Sequence, residues 1–183
     1  MDRDQALQAV TDNVKNPNLI KHMLATESIM RAMAIKFHEN AEEWGLAGLL
    51  HDIDIEILAG DMKDHGKLSA QMAQKIGVNP DIAHAILCHN SALGVPCVSL
   101  MDKALLCADP LTGLITAGAL IRPEKKLSAV QATSISKRFK EKSFAAGANR
   151  EQIATCSTLG LTLDEFISLG LAAMQSISSD LGL

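Results

Sequence analysis

The chain has 183 residues, a formal net charge of −4, and 48% hydrophobic but only 3% aromatic residues, with no tyrosine. This length suffices for one domain with a buried core. Because strands favour β-branched and aromatic residues, the composition argues against a sheet-rich fold. We therefore predict an all-α protein whose core is built from Ala, Leu, Ile and Met.

Nothing in the sequence points to a membrane or to the secretory route. No apolar run approaches the ~20 residues that span a bilayer, and the charged start, Met1 to Asp4, lacks a hydrophobic secretory segment. We therefore expect a cytoplasmic protein. The four cysteines lack the CxxC spacing of a Cys₄ zinc site, and in a reducing cytosol they are predicted to be small core residues. They are Cys88, Cys97, Cys107 and Cys156.

Helix starts are marked by N-cap residues, most of them with a partner three residues later. These are Asn40 with Glu43, Asp64, Asn79 before Pro80, Ser99 with Asp102, Asn149 with Gln152, and Thr162 with Glu165. The Asp64 cap would place His65 in the first turn of its helix. With hydrophobic spacing, the caps predict helices at about 2–14, 18–38, 40–52, 64–77, 79–90, 99–121, 149–160 and 163–181. The segment 53–63, which includes Gly60, is predicted to be a loop.

One stretch joins a buried run to chemically active side chains. Residues 47–50 are apolar or glycine, and His51, Asp52, Ile53 and Asp54 follow directly. Imidazole nitrogen and carboxylate oxygen together suit divalent metals. A lone His–Asp pair is common at surface helix ends, so the pair alone is weak evidence for a metal site. The signal strengthens because further histidines and an aspartate recur along the chain in a fixed order: His22, His51-Asp52, His65, His89 and Asp109.

This order resembles the H…HD…H…H…D pattern of the HD-domain superfamily of metal-dependent phosphohydrolases. The local sequence Gly-Leu-Leu-His-Asp-Ile matches the core motif of that family, and the residues after 120 look like an HDIG-like bacterial branch. The resemblance implies a compact HD-type helical bundle over 1–183. The metal-site core would lie at about 18–120, and additional C-terminal helices would form an extension at about 121–183.

The resemblance also implies one or two bound divalent ions. The first would be held by His22, His51, Asp52 and Asp109, and the second by His65 and His89 with Asp52 as the bridge. His84 and His89 lie five residues apart and point about 140° apart on a helix, and His89 matches the family position. A ligand set without thiolate leaves Fe, Mn, Co, Ni and Mg as candidate metals.

Further residues have candidate roles in catalysis and substrate binding. Asp52 is a candidate catalytic residue through the metal, and Asp54 is either a general acid or base or an orienter of a ligand. Residues 1–64 carry 12 acids and 6 bases, whereas residues 121–150 carry 8 bases and 2 acids. This asymmetry suits a phosphorylated substrate, so we predict phosphate contacts from Lys103, Lys137 and Lys140. The alternative is a basic helix that faces solvent.

We therefore expect a phosphohydrolase that cleaves a small phosphate ester with a metal-activated water, nucleotides being among the candidate substrates. The expected partner is this phosphorylated small molecule, and neither a membrane nor a nucleic acid is expected. Two alternatives stay open on the same ligand set. One is a di-iron oxygenase, and the other is a non-catalytic module that retains the metal and binds a ligand.

Overall fold

The structure, a computed structural model, describes residues 1–59, 61 and 63–183. These residues form ten α-helices and no strand, which confirms the all-α prediction. The helices are α1 (Arg3–Asn13), α2 (Pro17–Phe37), α3 (Ala41–Leu50), α4 (Lys67–Lys75), α5 (Pro80–His89), α6 (Leu100–Leu120), α7 (Ala132–Phe139), α8 (Arg150–Ala154), α9 (Leu163–Ser176) and α10 (Ser178–Leu181).

Helix α3 lies in the centre of the fold. Its residues 44–50 are all buried, and it packs against α1, α2, α5 and α6. A helix that is apolar on every side is stable only inside a core, because it has no face to offer to water. The end of α3 therefore delivers His51 and Asp52 to the interior rather than to the surface.

Helix α6 is the second central element, and it contacts α2, α5, α7, α8 and α9. By length and mean hydropathy it could cross a membrane, which differs from our expectation that no apolar run is long enough. Among the described residues, 61% of the most apolar 18-residue stretch of α6 is buried inside the fold. Pro110 lies inside this helix without ending it, so Asp109 occupies a mid-helix position.

Most predicted helix caps are present. Asn40, Asn79, Ser99, Asn149 and Thr162 each accept backbone N–H groups, and Ser99 and Thr162 form complete capping boxes. Glu43 departs from the expected pairing, because its carboxylate accepts a hydrogen bond from Asn79 Nδ2 at 3.0 Å. This contact ties the start of α3 to the start of α5. The final predicted helix is broken at Ile177 into α9 and α10.

The predicted start of α4 is wrong. The helix begins at Lys67, after Gly66 at φ +82°, so His65 precedes the helix instead of lying in its first turn. Asp64 is exposed and pairs with Lys67 Nζ at 3.6 Å. The cap comes from Asp54, whose Oδ2 accepts the Gly66 and Ser69 N–H groups, each at 2.9 Å. The predicted loop 53–63 forms turns up to residue 59, and Gly60 and Met62 lie outside the described residues.

A buried ionic network holds α1, α2 and α3 together. The Glu27 carboxylate is buried and accepts hydrogen bonds from Arg3 Nε at 2.6 Å and from Arg31 Nε at 2.9 Å. Arg31 also donates to Glu42 at 2.7 Å. A buried carboxylate needs such partners, because an unpaired one would lose its hydration without compensation.

Helices α2 and α3 approach so closely that a side chain at Gly48 would collide with backbone. A Cβ there would lie 2.9 Å from Glu27 Cα and N. We predict that Gly48→Ala lowers the free energy of unfolding by about 1–3 kcal/mol, because backbone cannot move aside as a side chain can. Urea denaturation measures this. Gly113→Ala on α6 is the matched control, since its Cβ would meet nothing within 4 Å, and it should stabilise by about 0.5–1 kcal/mol. Equal effects of the two variants would contradict the close approach.

Candidate metal centre

Five segments of the chain bring the six predicted ligands together. His22 lies in the second turn of α2, His51 and Asp52 follow α3, and His65 precedes α4. His89 is the last residue of α5, and Asp109 lies in the middle of α6. We call these six residues the His/Asp cluster. Its members are far apart in sequence, so their convergence depends on the packing of α2, α3, α5 and α6.

The cluster has two halves that share Asp52. In the first half, His22 Nε2 lies 3.2 Å from His51 Nε2 and 3.1 Å from Asp109 Oδ1. In the second half, His65 Nε2 lies 3.1 Å from His89 Nε2. Asp52 Oδ2 is 3.4 Å from His22 Nε2, and Asp52 Oδ1 is 3.2 Å from His65 Nε2. The carboxylate of Asp52 thus faces both halves, as a bridging ligand must.

Each histidine ring is fixed by an acceptor on its other nitrogen. His51 Nδ1 lies 2.8 Å from the Gly48 carbonyl oxygen, and His89 Nδ1 faces that of Ile86. A carbonyl only accepts, so Nδ1 carries the proton in both rings. The Nε2 lone pairs are therefore free and point into the cluster.

His22 and His65 follow the same rule through side chains. Thr112 Oγ1 donates to the Asp109 carbonyl at 2.7 Å and so accepts from His22 Nδ1 at 2.8 Å. Asp54 Oδ1 accepts from His65 Nδ1 at 2.8 Å. All four rings thus present Nε2 as the ligand atom. Such partners set both the tautomer and the ring orientation of metal-binding histidines.

The arrangement fits a divalent ion. Neutral Nε2 atoms that face each other at 3.1–3.2 Å are both acceptors and repel unless a cation or a proton lies between them. Ligand atoms about 2.1 Å from an ion and at right angles to each other are about 3.0 Å apart. The distances in both halves are close to this value, and the donors are nitrogen and carboxylate oxygen throughout. The six residues could hold one ion in each half.

Comparison with known families agrees with this geometry. The family model described as "HD domain" matches residues 19–111, slightly more than half of the chain. The chain belongs to the HD-domain family. Membership implies the metal-dependent phosphohydrolase chemistry of that family, and the matched region contains all six residues of the cluster, which we now call the HD centre.

Individual relatives match a part of the chain. The chain is 31% identical over 96 residues to Ribonuclease Y of Oleidesulfovibrio alaskensis, which is 52% of this chain and 18% of that protein. It is 32% identical over 73 residues to Ribonuclease Y of Geotalea uraniireducens and to that of Geobacter sulfurreducens, which is 40% of this chain and 14% of each relative. The chain therefore spans less than a fifth of the length of these relatives. No solved structure matches it.

Neighbouring carboxylates raise the pKa of two histidines in the HD centre. Burial lowers the pKa of His22, but hydrogen bonds to the Asp109 and Asp52 carboxylates outweigh this and raise it to about 10. Burial also lowers the pKa of His65, but hydrogen bonds to the Asp52 and Asp54 carboxylates outweigh this and raise it to about 10. Burial would raise the pKa of Asp109, but His22 and His51 hold it well below its usual range. The centre therefore attracts positive charge.

The contacts of Asp54 are those of a positioning residue. Its side chain is fully buried. One oxygen accepts from His65 Nδ1, and the other accepts from the Gly66 and Ser69 backbone. Both oxygens are therefore engaged away from the Nε2 atoms. Of the two roles that the sequence left open for Asp54, the structure supports the orienter of a ligand.

The three predicted phosphate-binding lysines are not among the residues that line the cavity beside the HD centre. Lys137 and Lys140 line a separate surface depression with Thr162 and Asp164, at the start of α9. Lys103 precedes Asp109 by six residues, which is about 9 Å along a helix and on another face. Phosphate binding by these lysines stays a prediction, because the charge balance of a segment does not determine the direction in which its side chains point.

Two residues near the centre were not selected as site residues from the sequence. Thr112 fixes His22, and its position three residues after Asp109, on the same helix face, was the available signal. Lys21 and His22 both line a cavity of about 490 Å³ beside the HD centre. A lysine next to a ligand histidine carries no recognisable pattern, so sequence alone gave no reason to select it.

We predict that Asp54→Asn weakens metal binding in the half of the centre that contains His65. An amide cannot accept from His65 and from both backbone N–H groups as the carboxylate does, so the ring loses its fixed orientation. Loss of such a partner costs about 10–100-fold in metal affinity. Calorimetric titration with Mn²⁺ measures the change. Asp61→Asn, an exposed change in the same connection, is the control and should bind as the wild type does. Unchanged affinity in Asp54→Asn would contradict the positioning role.

We predict that metal affinity rises with pH. Because the pKa values of His22 and His65 are raised to about 10 without metal, both rings are protonated at neutral pH. An ion requires the free Nε2, so binding releases these protons, and affinity should increase by about tenfold per pH unit for each proton displaced. Chelator competition at about pH 7 and about pH 8.5 tests this sign. An affinity independent of pH over this range would contradict it.

Proposed function

We propose that this HD-domain protein hydrolyses a small phosphate ester with a metal-activated water. The observation that carries the proposal is the one-sided opening of the HD centre. His51, His65 and His89 are buried, whereas the side chains of His22 and Asp109 are 25% and 28% exposed. A substrate can therefore approach along one direction, past His22 and Asp109.

The cavity at this opening suits a phosphorylated molecule. Its volume of about 490 Å³ lies within the usual range for small-molecule sites. Lys21, Asn18 and Thr116 supply polar groups, and Leu120 and Leu181 supply apolar surface. Lys21 forms no salt bridge with any residue that the structure describes. Its ammonium group is available to a phosphate oxygen, and the apolar wall is available to the ester group.

Each side chain has a defined part in this proposal. Bound divalent ions would acidify a water molecule and neutralise phosphoryl charge. The six residues of the HD centre would hold the ions, and Asp52 would bridge them. Asp54 and Thr112 keep the rings of His65 and His22 oriented. Lys21 would donate to a substrate oxygen and so align the phosphorus with the HD centre.

A second candidate substrate class is a ribonucleotide phosphodiester. The likeness to Ribonuclease Y favours it, because that name denotes cleavage of RNA. The match covers the HD region and not the remaining length of those proteins. A diester and a monoester need the same ligand set, so the HD centre itself does not distinguish them.

A substrate screen of the metal-loaded protein tests the function. The substrates are p-nitrophenyl phosphate, bis-p-nitrophenyl phosphate, nucleoside monophosphates and a short RNA, each with Mn²⁺, Mg²⁺ or Co²⁺. We expect metal-dependent hydrolysis of at least one class, with Asp52→Asn reducing the rate by at least about hundredfold. Full metal loading without turnover of any substrate would instead support the non-catalytic binding module. Oxygen uptake without hydrolysis would support the oxygenase.

We predict that Lys21→Gln raises KM for the best substrate by about ten- to hundredfold, since a hydrogen bond to a charged group contributes about 1.5–3 kcal/mol. Metal content should not change, because Lys21 is not a ligand. Steady-state kinetics measure the effect. The double change Lys137→Gln and Lys140→Gln removes two positive charges from a different surface and should leave KM unaltered. If the double variant raises KM and Lys21→Gln does not, the sequence-based assignment of those lysines is correct.

A further inference from the structure

A second group of metal-binding side chains lies apart from the HD centre. His84 and Cys88 are one helical turn apart on α5, and Asp102 is in the first turn of α6. Each of the three offers a ligand atom, and these atoms all lie within 4.8 Å of one another. Cys97, in the connection between α5 and α6, places its Sγ 3.2 Å from that of Cys88. The spacing of the two cysteines in sequence gives no hint of this contact.

Asp102 shows that this group is unsatisfied. Its side chain is 2% exposed. Oδ2 accepts the Val98 and Ser99 N–H groups at 2.9 Å and lies 3.0 Å from His84 Nδ1. Within the described part of the chain, no donor reaches Oδ1. A buried carboxylate oxygen without a partner is costly, and a cation held by the neighbouring ligands would remove that cost.

The ligand types select the metal. Two thiolates, an imidazole and a carboxylate form a mixed four-ligand set, and thiolate favours zinc over magnesium, calcium or manganese. Sulfur atoms on a tetrahedral zinc, each at about 2.3 Å, are about 3.8 Å apart. The two Sγ atoms need to separate by roughly half an ångström from 3.2 Å to reach this arrangement. The HD centre, by contrast, contains nitrogen and oxygen ligands alone.

We propose that His84, Cys88, Cys97 and Asp102 form a second metal site, which takes Zn²⁺ and joins the end of α5 to the start of α6. Both thiols lose their protons to solvent when the ion binds. The four protein ligands leave no position open for substrate, so the site is structural. Because Cys88 is adjacent to His89 in sequence, a metal ion at this site would also hold the end of α5, which supplies His89 to the HD centre.

A disulfide between Cys88 and Cys97 is the competing explanation for their contact. It would join the same two segments and keep the contact of His84 Nδ1 with Asp102 Oδ2 at 3.0 Å, but it would leave Asp102 Oδ1 without a partner among the described residues. It also requires an oxidant. The orphan oxygen therefore favours the metal site.

Cobalt spectroscopy on the reduced, full-length protein separates the two kinds of site. Thiolate-bound Co²⁺ gives a charge-transfer band in the near ultraviolet, which the nitrogen and oxygen ligands of the HD centre cannot produce. Because the HD centre can also take Co²⁺, we expect the band to saturate at an intensity that corresponds to one thiolate-bound Co²⁺ per chain, and to disappear when Zn²⁺ is added. Cys97→Ser and His84→Gln change partly exposed residues, so both variants should fold. Each should weaken Zn²⁺ binding at the site at least tenfold, and Cys97→Ser should reduce the band most.

The control is Cys156→Ala, which removes a buried cysteine in the C-terminal part of the chain and should leave the band intact. Circular dichroism verifies that all variants are helical. The proposal is overturned if the reduced wild type gives no band, including the case in which the purified protein contains a Cys88–Cys97 disulfide and binds no Co²⁺ through sulfur after reduction. It is also overturned if the band survives in both Cys97→Ser and His84→Gln, or if it is lost in Cys156→Ala.

Discussion

The convergence of four imidazole rings on one carboxylate is the constraint on which the rest of this structure depends. Their Nε2 atoms meet in pairs at 3.1–3.2 Å, with the Asp52 carboxylate between the pairs. Side chains do not hold such an arrangement by themselves, so the surrounding helices must impose it. The buried helix α3 fixes Asp52, and each ring is tied through Nδ1 by Gly48, Ile86, Thr112 or Asp54. The protein core therefore provides the rigid support that a multi-histidine ion site requires.

Features that are set locally could be predicted from sequence, and features set by distant contacts could not. The caps at Asn79, Ser99 and Thr162 were predictable because an N-cap bonds to residues two or three positions away. The start of α4 was mistaken because its cap, Asp54, lies twelve residues before Gly66 in the chain. The order of the six HD-centre residues was visible through resemblance to a family. Their distances, and the role of each Nδ1 partner, required the fold.

The part of the chain outside the family match contributes to the opening of the HD centre. The match ends at residue 111, yet Thr112, Thr116, Leu120 and residues 181–183 line the cavity beside His22. Gly182, at φ +72°, passes so close to Lys21 that a Cβ would lie 2.9 Å from its Nζ. The ligands thus come from the matched HD region, whereas most of the residues that line the cavity lie outside it.

The two oxygens of Asp54 connect a ligand ring to a helix terminus. One orients His65, and the other caps α4 through Gly66 and Ser69. An ion that binds His65 and fixes its ring therefore also stabilises the folded first turn of α4. Because such coupling is reciprocal, fraying of that turn must lower the affinity for the ion. The hydrogen–deuterium exchange rate of the first α4 amides therefore reports metal occupancy, although α4 itself contributes no ligand.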